Sequence, residues 1–182
     1  RVRSLEISGT PGGDGSNAII DILSNFGTDI SFNPCAPSLG IYLSETADLI
    51  IPRVLNTTMN YSTGNMLIFI SETADSTPAS RINLSRIYIT NQTYIPLDNN
   101  QKSVANSFVN EEDKMYLNIT LTERLRYHAI KSSGTNGGDG YPNLLHVLKD
   151  VFNDIGLNFN NASLNLQIRE FDDVITPQFI SA

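Results

Sequence analysis

Apolar and polar residues alternate in several short segments of this chain, and alternation is the pattern of half-buried β-strands. The segment 66–70 is apolar on both faces, which predicts a central and buried strand. Further alternating segments run over 39–43, 82–90, 115–122 and 164–168. We expect a β-dominated α+β fold in which residues 57–123 form an all-β middle segment.

Two other stretches carry apolar residues at helical spacing, which predicts two short helices. The residues are Ile19, Ile22, Leu23 and Phe26 in one stretch, and Leu145, Leu148 and Phe152 in the other. Ser16 suits the N-cap of the first helix, and Pro142 suits the first turn of the second. Each helix should follow an opening strand, at 2–7 and 125–130. The predicted module therefore runs strand, glycine loop, helix, strand and strand.

A glycine-rich octapeptide occurs twice in the chain. Residues 8–15 (glycine loop one) read SGTPGGDG, and residues 133–140 (glycine loop two) read SGTNGGDG, so seven of eight positions are identical. The separation is 133 − 8, or 125 residues, and the apolar segments downstream of the two loops resemble each other at the same separation. Similarity at a fixed separation indicates a repeated structural unit.

We interpret this similarity as an internal duplication. The predicted module occupies residues 1–56 and again 124–182, on either side of the middle segment, within a single compact unit of residues 1–182. Equivalent positions should then have equivalent surroundings. We therefore expect Leu23→Ala and Leu148→Ala to destabilise the fold alike, each by about 2–5 kcal/mol.

Charge and composition exclude several classes of protein. Lys and Arg total 12 against 19 acidic residues, for a net charge of −7, and no basic stripe is present, which argues against a nucleic-acid partner. No apolar run approaches the about 20 residues that a membrane span needs. The single cysteine, Cys35, excludes an internal disulfide and a cysteine-based zinc site.

The glycine loops are the first candidate for binding chemistry, because a glycine-rich turn before a helix can hold a phosphate group. Neither loop has the Lys and Ser/Thr of a Walker motif or the full dinucleotide-binding pattern. Asp14 and Asp139 also put a negative charge where the phosphate would lie. We expect both loops to be structural turns that need positive φ angles, and we expect no cofactor.

Acidic residues form a second candidate, a cation site. The candidate ligands are Asp14, Glu45, Asp48, Asp139, Glu170 and Asp173. Carboxylates beside loop carbonyls suit calcium, but the chain contains no D-x-D-x-D loop. Asp also commonly accepts a hydrogen bond from its own backbone in a turn. We therefore expect turn residues and no bound metal.

Neither histidine suggests an enzyme. His128 and His146 stand outside any H-E-x-x-H motif, and no G-x-S-x-G sequence marks a nucleophile. We expect no catalytic site.

Four arginines flank the predicted opening strands and are candidate interface residues. They are Arg1, Arg3, Arg124 and Arg126. Arginine binds carboxylates of a partner through paired hydrogen bonds. The alternative role is that of edge charges that prevent aggregation of exposed strands.

These observations lead to the hypothesis of a structural subunit in a large assembly. A virion component, in a phage or virus tail, neck or capsid, fits the low charge, the β-rich modules and the missing catalytic motifs. Its partners would be copies of itself and other subunits. A doubled module also lets a ring of subunits present twice as many equivalent contacts.

The alternative hypothesis is a secreted surface protein, either a strand-exchanging filament subunit or a carbohydrate-binding adhesin. In a filament, residues 1–7 would be the strand donated to a neighbour. Six N-x-S/T sequons favour an extracellular protein. They begin at Asn56, Asn60, Asn83, Asn91, Asn118 and Asn161. The expected location is therefore a virion or the extracellular space.

Overall fold

The structure, a computed structural model, describes residues 5–91, 104 and 107–177. It contains three sheets and few helical residues, which confirms the β-dominated α+β class. The chain divides into two compact units. The first unit comprises the described residues up to Ile50 together with Ile155–Leu157, and the second comprises Ile51–Asp154 with the described residues from Asn158 onward.

The first unit is built on one antiparallel hairpin of strands β1 (Ile19–Ile22) and β2 (Ser38–Tyr42). Residues 5 and 6 are helical and lead into glycine loop one. Of the described residues from 5 to 50, only Ser8 and Ala18 are buried. The first unit therefore has almost no core of its own.

The second unit contains a five-stranded sheet. Its strands are β3 (Val54–Asn60), β4 (Asn65–Ile70), β6 (Phe108–Val109), β7 (Tyr116–Thr120) and β10 (Arg169–Phe171). Their order is β10–β3–β4–β7–β6, with β10 parallel to β3 and the other neighbours antiparallel. Strand β4 lies in the middle, with every second residue buried, which confirms the predicted central strand.

A second sheet of the same unit joins β5 (Ile87–Thr90), β8 (Leu144–Val147) and β9 (Ser163–Gln167), in the order β5–β8–β9. Helix α1 (Glu123–Lys131) leads into glycine loop two. Two short 3₁₀ turns, Ala79–Arg81 and Leu84–Arg86, precede β5. One apolar cluster fills this unit and takes residues from both sheets, among them Met66 and Leu145.

The predicted order of helix and strand within the module is wrong. Residues 125–130, expected as a strand, lie in α1, and the segments expected as helices form β1 and β8. The apolar spacing is ambiguous, because Leu145 and Val147 also satisfy the alternation of a strand. The pairing of β8 with neighbours on both edges decides between the two. The two proposed cap residues, Ser16 and Pro142, do not lie in any described helix.

Hairpins β1–β2 and β8–β9 pair in the same register when 125 is added to each position of the first. Both also carry an irregularity at the equivalent point, between Ile20 and Ile22 in β1 and between Leu145 and Val147 in β8. The matched Cα pairs are Ile19–Tyr42 with Leu144–Gln167, Ile20–Ile41 with Leu145–Leu166, and Ile22–Ser38 with Val147–Ser163. The two segments thus share a backbone arrangement. A gene duplication as its origin stays a prediction.

Burial differs sharply between the two hairpins although their backbones match. Ile20 is 43% exposed, whereas the equivalent Leu145 is 0% exposed. Leu23 is 69% exposed, whereas the equivalent Leu148 is half-buried. The expectation that Leu23→Ala and Leu148→Ala cost the same therefore has no basis in the structure.

Leu145→Ala should lower the free energy of unfolding of the second unit by about 2–5 kcal/mol, because it opens a cavity in a closed core. The equivalent Ile20→Ala should change that free energy by only about 0.5 kcal/mol or less, as exposed substitutions usually do. Urea titrations followed by tyrosine fluorescence measure both, since the chain has 7 Tyr and no Trp. Equal costs at the two positions would contradict this assignment of the core.

Candidate functional site

Each glycine loop is a tight turn closed by backbone hydrogen bonds. In glycine loop one, the N–H of Gly13 donates to the carbonyl of Thr10 at 3.0 Å, and the N–H of Gly15 donates to that of Ser8 at 3.1 Å. Glycine loop two has the same two bonds at the same lengths. They join Gly138 to Thr135 and Gly140 to Ser133. The two loops therefore share one backbone geometry.

Glycine is required in these loops for two physical reasons. A Cβ at Gly13 would lie 2.1 Å from the carbonyl oxygen of Ser8, and one at Gly138 would lie 2.1 Å from that of Ser133. No side chain fits at such distances. The expected positive φ angles occur elsewhere in the loops, where L residues are strained. They belong to Gly12, Gly15, Gly137 and Gly140.

A glutamate holds each loop from outside. One oxygen of Glu45 accepts from the N–H of Gly9 at 2.8 Å, and the other accepts from the N–H of Ala18 at 3.1 Å. Glu170 accepts from the N–H of Gly134 at 3.0 Å and from that of Asn143 at 3.3 Å. These loop amides already donate to a carboxylate of the protein. The loops are therefore braced turns.

The remaining cation candidates are also engaged as turn residues. Asp14, Asp48, Asp139 and Asp173 each accept a hydrogen bond at 2.8–3.0 Å from the N–H two residues further along the chain. Among the residues that the structure describes, no three His, Cys, Asp or Glu side chains lie together where they would hold a metal ion.

The candidate interface arginines have different surroundings. Arg1 and Arg3 lie outside the described residues. Arg124 is exposed on α1. Arg126 is engaged within its own unit, because its guanidinium donates to Asp173 at 2.8 Å and to Glu123 at 2.7 and 2.8 Å. Of the two candidate interface arginines that the structure describes, only Arg124 therefore presents an exposed charge to a partner.

A buried polar network, which the sequence did not reveal, surrounds Glu170 in the second unit. The fully buried Tyr61 donates its hydroxyl hydrogen to Glu170 at 2.5 Å. The amide nitrogen of Asn143 donates to the Tyr61 hydroxyl at 2.9 Å and to the carbonyl of Ala129 at 2.7 Å. Burial, and next the hydrogen bond to Glu170, raise the pKa of the Tyr61 hydroxyl.

The equivalent region of the first unit is an open groove. It has a volume of about 660 Å³, and its lining includes Leu5, Ile20, Leu43 and Glu45. At the 125-residue separation these positions correspond to Ile130, Leu145, Ile168 and Glu170. In the second unit the core covers Leu145 and Ile168, and Tyr61 occupies the space beside Glu170. The groove, with the adjacent β1, is the strongest candidate functional site because it is apolar, concave and exposed.

Tyr61→Phe should lower the free energy of unfolding by about 1–3 kcal/mol at neutral pH, since the half-buried carboxylate of Glu170 and the buried amide of Asn143 each lose a partner. The same variant should be less sensitive to alkali. With the raised pKa, the folded state keeps the Tyr61 proton above pH 10.0, where the unfolded chain loses it. The stability that Tyr61 provides is therefore present below that pH and is lost as the pH rises further.

Urea titrations between pH of about 9 and about 11 measure this difference. The matched control is Tyr127→Phe, because Tyr127 is exposed on α1. That variant should lose stability with pH as the original chain does. If Tyr61→Phe loses as much stability between these pH values as the original chain does, the buried hydroxyl does not contribute to the alkaline loss of stability.

Comparison with protein-family models, with curated proteins and with solved structures found no match to this chain. In the described part of the chain, no helix has the length and apolar character that crossing a membrane requires.

Proposed function

We propose that this chain is a non-enzymatic structural subunit that works by associating with other protein domains or subunits. The observation that supports it best is the exposed apolar surface of the first unit. Ile20 and Leu43 are exposed, whereas the equivalent Leu145 and Ile168 belong to the core of the second unit. Burial of apolar area stabilises by about 25 cal/mol per Å², so a protein surface that covers these side chains gains free energy.

The loop between β1 and β2 carries further exposed apolar residues. Phe26, Ile30 and Phe32 are 82%, 98% and 85% exposed. Phe26 is equivalent to Val151, which is 1% exposed in the second unit. Exposed apolar residues that cluster on one unit are typical of interaction surfaces.

The proposal that the chain is not an enzyme is supported by how its polar side chains are used. The carboxylates of Glu45 and Glu170 brace the glycine loops, as described above. His146 lies in β8, with its Nε2 atom 3.2 Å from the hydroxyl of Thr90. His128 lies on α1, with its ring packed edge-on against Tyr127. These contacts stabilise the fold, and each is explained without a substrate.

Two kinds of assembly are proposed. The first is a virion component, which the low share of charged residues, 17%, and the β-rich fold favour. The second is a strand-exchanging filament subunit, which the open edge of the two-stranded β1–β2 sheet favours. Residues 5 and 6 are helical, so they do not belong to the donated strand that the sequence suggested over 1–7, and residues 1–4 of that strand lie outside the described residues. Electron microscopy of the native particle distinguishes a capsid or tail from a filament.

The purified chain should form species larger than its 20.0 kDa monomer as its concentration rises. The double variant Phe26→Ser, Phe32→Ser should need about tenfold more protein to associate, because it removes apolar contact area from the first unit. Light scattering coupled to size-exclusion chromatography measures the mass of each species.

The matched control is Leu55→Ser with Val174→Ser, since both of those residues are exposed on the second unit. This control should associate as the original chain does. A chain that stays monomeric at every concentration, and that electron microscopy finds in no particle, would contradict the proposed function.

A further inference from the structure

We propose that the groove of the first unit and the open edge of β1 are a docking surface for a second copy of the segment of residues 51–122, carried by a neighbouring domain. Residues 51–122 are called the core segment below. This inference rests on the proposed function, because it names a further partner of the first unit, beside the self-association that Phe26 and Phe32 test. It also assigns the first unit a structural role, as a half-domain that the docked segment completes.

The first step is the equivalence of the two hairpins beyond their strands. The loop that joins β1 to β2 and the loop that joins β8 to β9 contain the same backbone hydrogen bonds. The matched pairs are Asn25–Cys35 with Asp150–Asn160, Gly27–Cys35 with Phe152–Asn160, and Asp29–Asn33 with Asp154–Asn158. One hairpin is packed and the other is exposed, yet their backbones agree. The exposed hairpin is therefore already in the conformation that the packed one has when the core segment covers it.

The second step is the strand that β8 receives and β1 lacks. In the second unit, β5 pairs antiparallel with β8, so that Ile89 lies opposite Leu145 and Ile87 lies opposite Val147. In the first unit, β1 pairs with β2 only, among the strands of the described residues. An unpaired strand edge is a template for another strand. The equivalent register places Ile89 of a docked core segment opposite Ile20 of β1.

The third step is the groove beside Glu45. In the second unit, Tyr61 of the core segment donates to Glu170. Glu45 keeps the backbone contacts that Glu170 makes, to the glycine loop and to the residue before the hairpin. The groove beside Glu45 is lined by Leu5 and Ile20 and is open. A docked core segment would place its tyrosine hydroxyl on Glu45.

The fourth step is the chemistry of the exposed positions. The exposed Ile20 and Leu43 and the half-buried Ile22 are apolar, as are the equivalent Leu145, Ile168 and Val147. On a strand edge that stays exposed to water, polar or charged residues at these positions would prevent unwanted pairing with other chains. The apolar residues therefore fit an apolar partner. The core segment of another intact chain is not that partner, because its own β8 already pairs with β5.

The test is a longer chain in which residues 51–125 precede residue 1 directly. Arg1 then follows Leu125, as Arg126 does in the natural sequence, which keeps the 125-residue separation. Cys35→Ser removes the single thiol, and Ile20→Cys introduces one on β1. The added segment should slow labelling of this thiol by at least about tenfold, relative to the same variant of the unextended chain, because it buries position 20.

Two controls make this result specific. Leu39→Cys in place of Ile20→Cys should label equally fast with and without the extension, because Leu39 and its equivalent Leu164 are both exposed. Ile87→Asp with Ile89→Asp, placed only in the added segment, should restore fast labelling at position 20. Unchanged labelling at position 20 in an extended chain, whose added segment is protected from hydrogen exchange, overturns the proposal.

A second measurement covers the case in which the added segment does not fold. A peptide of residues 84–91 with Ile89→Cys, its thiol activated as a mixed disulfide with thiopyridine, should form a disulfide with the Ile20→Cys, Cys35→Ser chain, because the thiolate of the chain displaces thiopyridone. The same peptide with Tyr88→Cys instead should react at least about tenfold less, because its thiol lies out of register. Equal reaction of both peptides overturns the proposal. If the docking experiments fail while light scattering still shows association, the structural role stands and this partner is wrong.

Discussion

The carboxylate of Glu170 is the contact on which the second unit depends. It lies on β10 of the five-stranded sheet and accepts hydrogen bonds from glycine loop two, from Tyr61, and from the backbone and side chain of Asn143, which precedes β8 of the other sheet. One side chain thus joins both sheets and the turn between α1 and β8. A hydrogen bond to a charged group contributes about 1.5–3 kcal/mol, which is a substantial share of the about 5–15 kcal/mol that keeps a whole domain folded.

Glu45 makes the equivalent backbone contacts without the rest of the domain around it. The first unit therefore separates the effect of local backbone requirements on the hairpin from the effect of burial, which usually act together in one structure. Local requirements, namely the steric closure at Gly13 and the carboxylate on the Gly9 amide, are met in both units and produce the same turn. Burial requires the core segment, and only the second unit has one. This difference explains how two similar sequences become a packed hairpin and an exposed one.

The same difference directs the functional interpretation. The glycine loops and the acidic residues, which suggested phosphate or cation binding, hold the backbone together. The exposed apolar face of the first unit has no such internal role. This contrast between engaged polar groups and exposed apolar residues is what supports the proposed association with other proteins.

The sequence by itself determined the β-dominated class, the central position of β4 and the paired glycine loops, because alternation and positive φ are local signals. It did not determine the order of helix and strand, because the apolar spacing around Leu145 satisfies both and only the pairing of β8 on two edges decides. It placed Glu45 and Glu170 among cation ligands, since a carboxylate's partners come from residues distant in sequence. Only the tertiary structure showed that Ile20 is exposed where Leu145 is buried, because burial depends on which segment covers a strand and not on the strand's own residues.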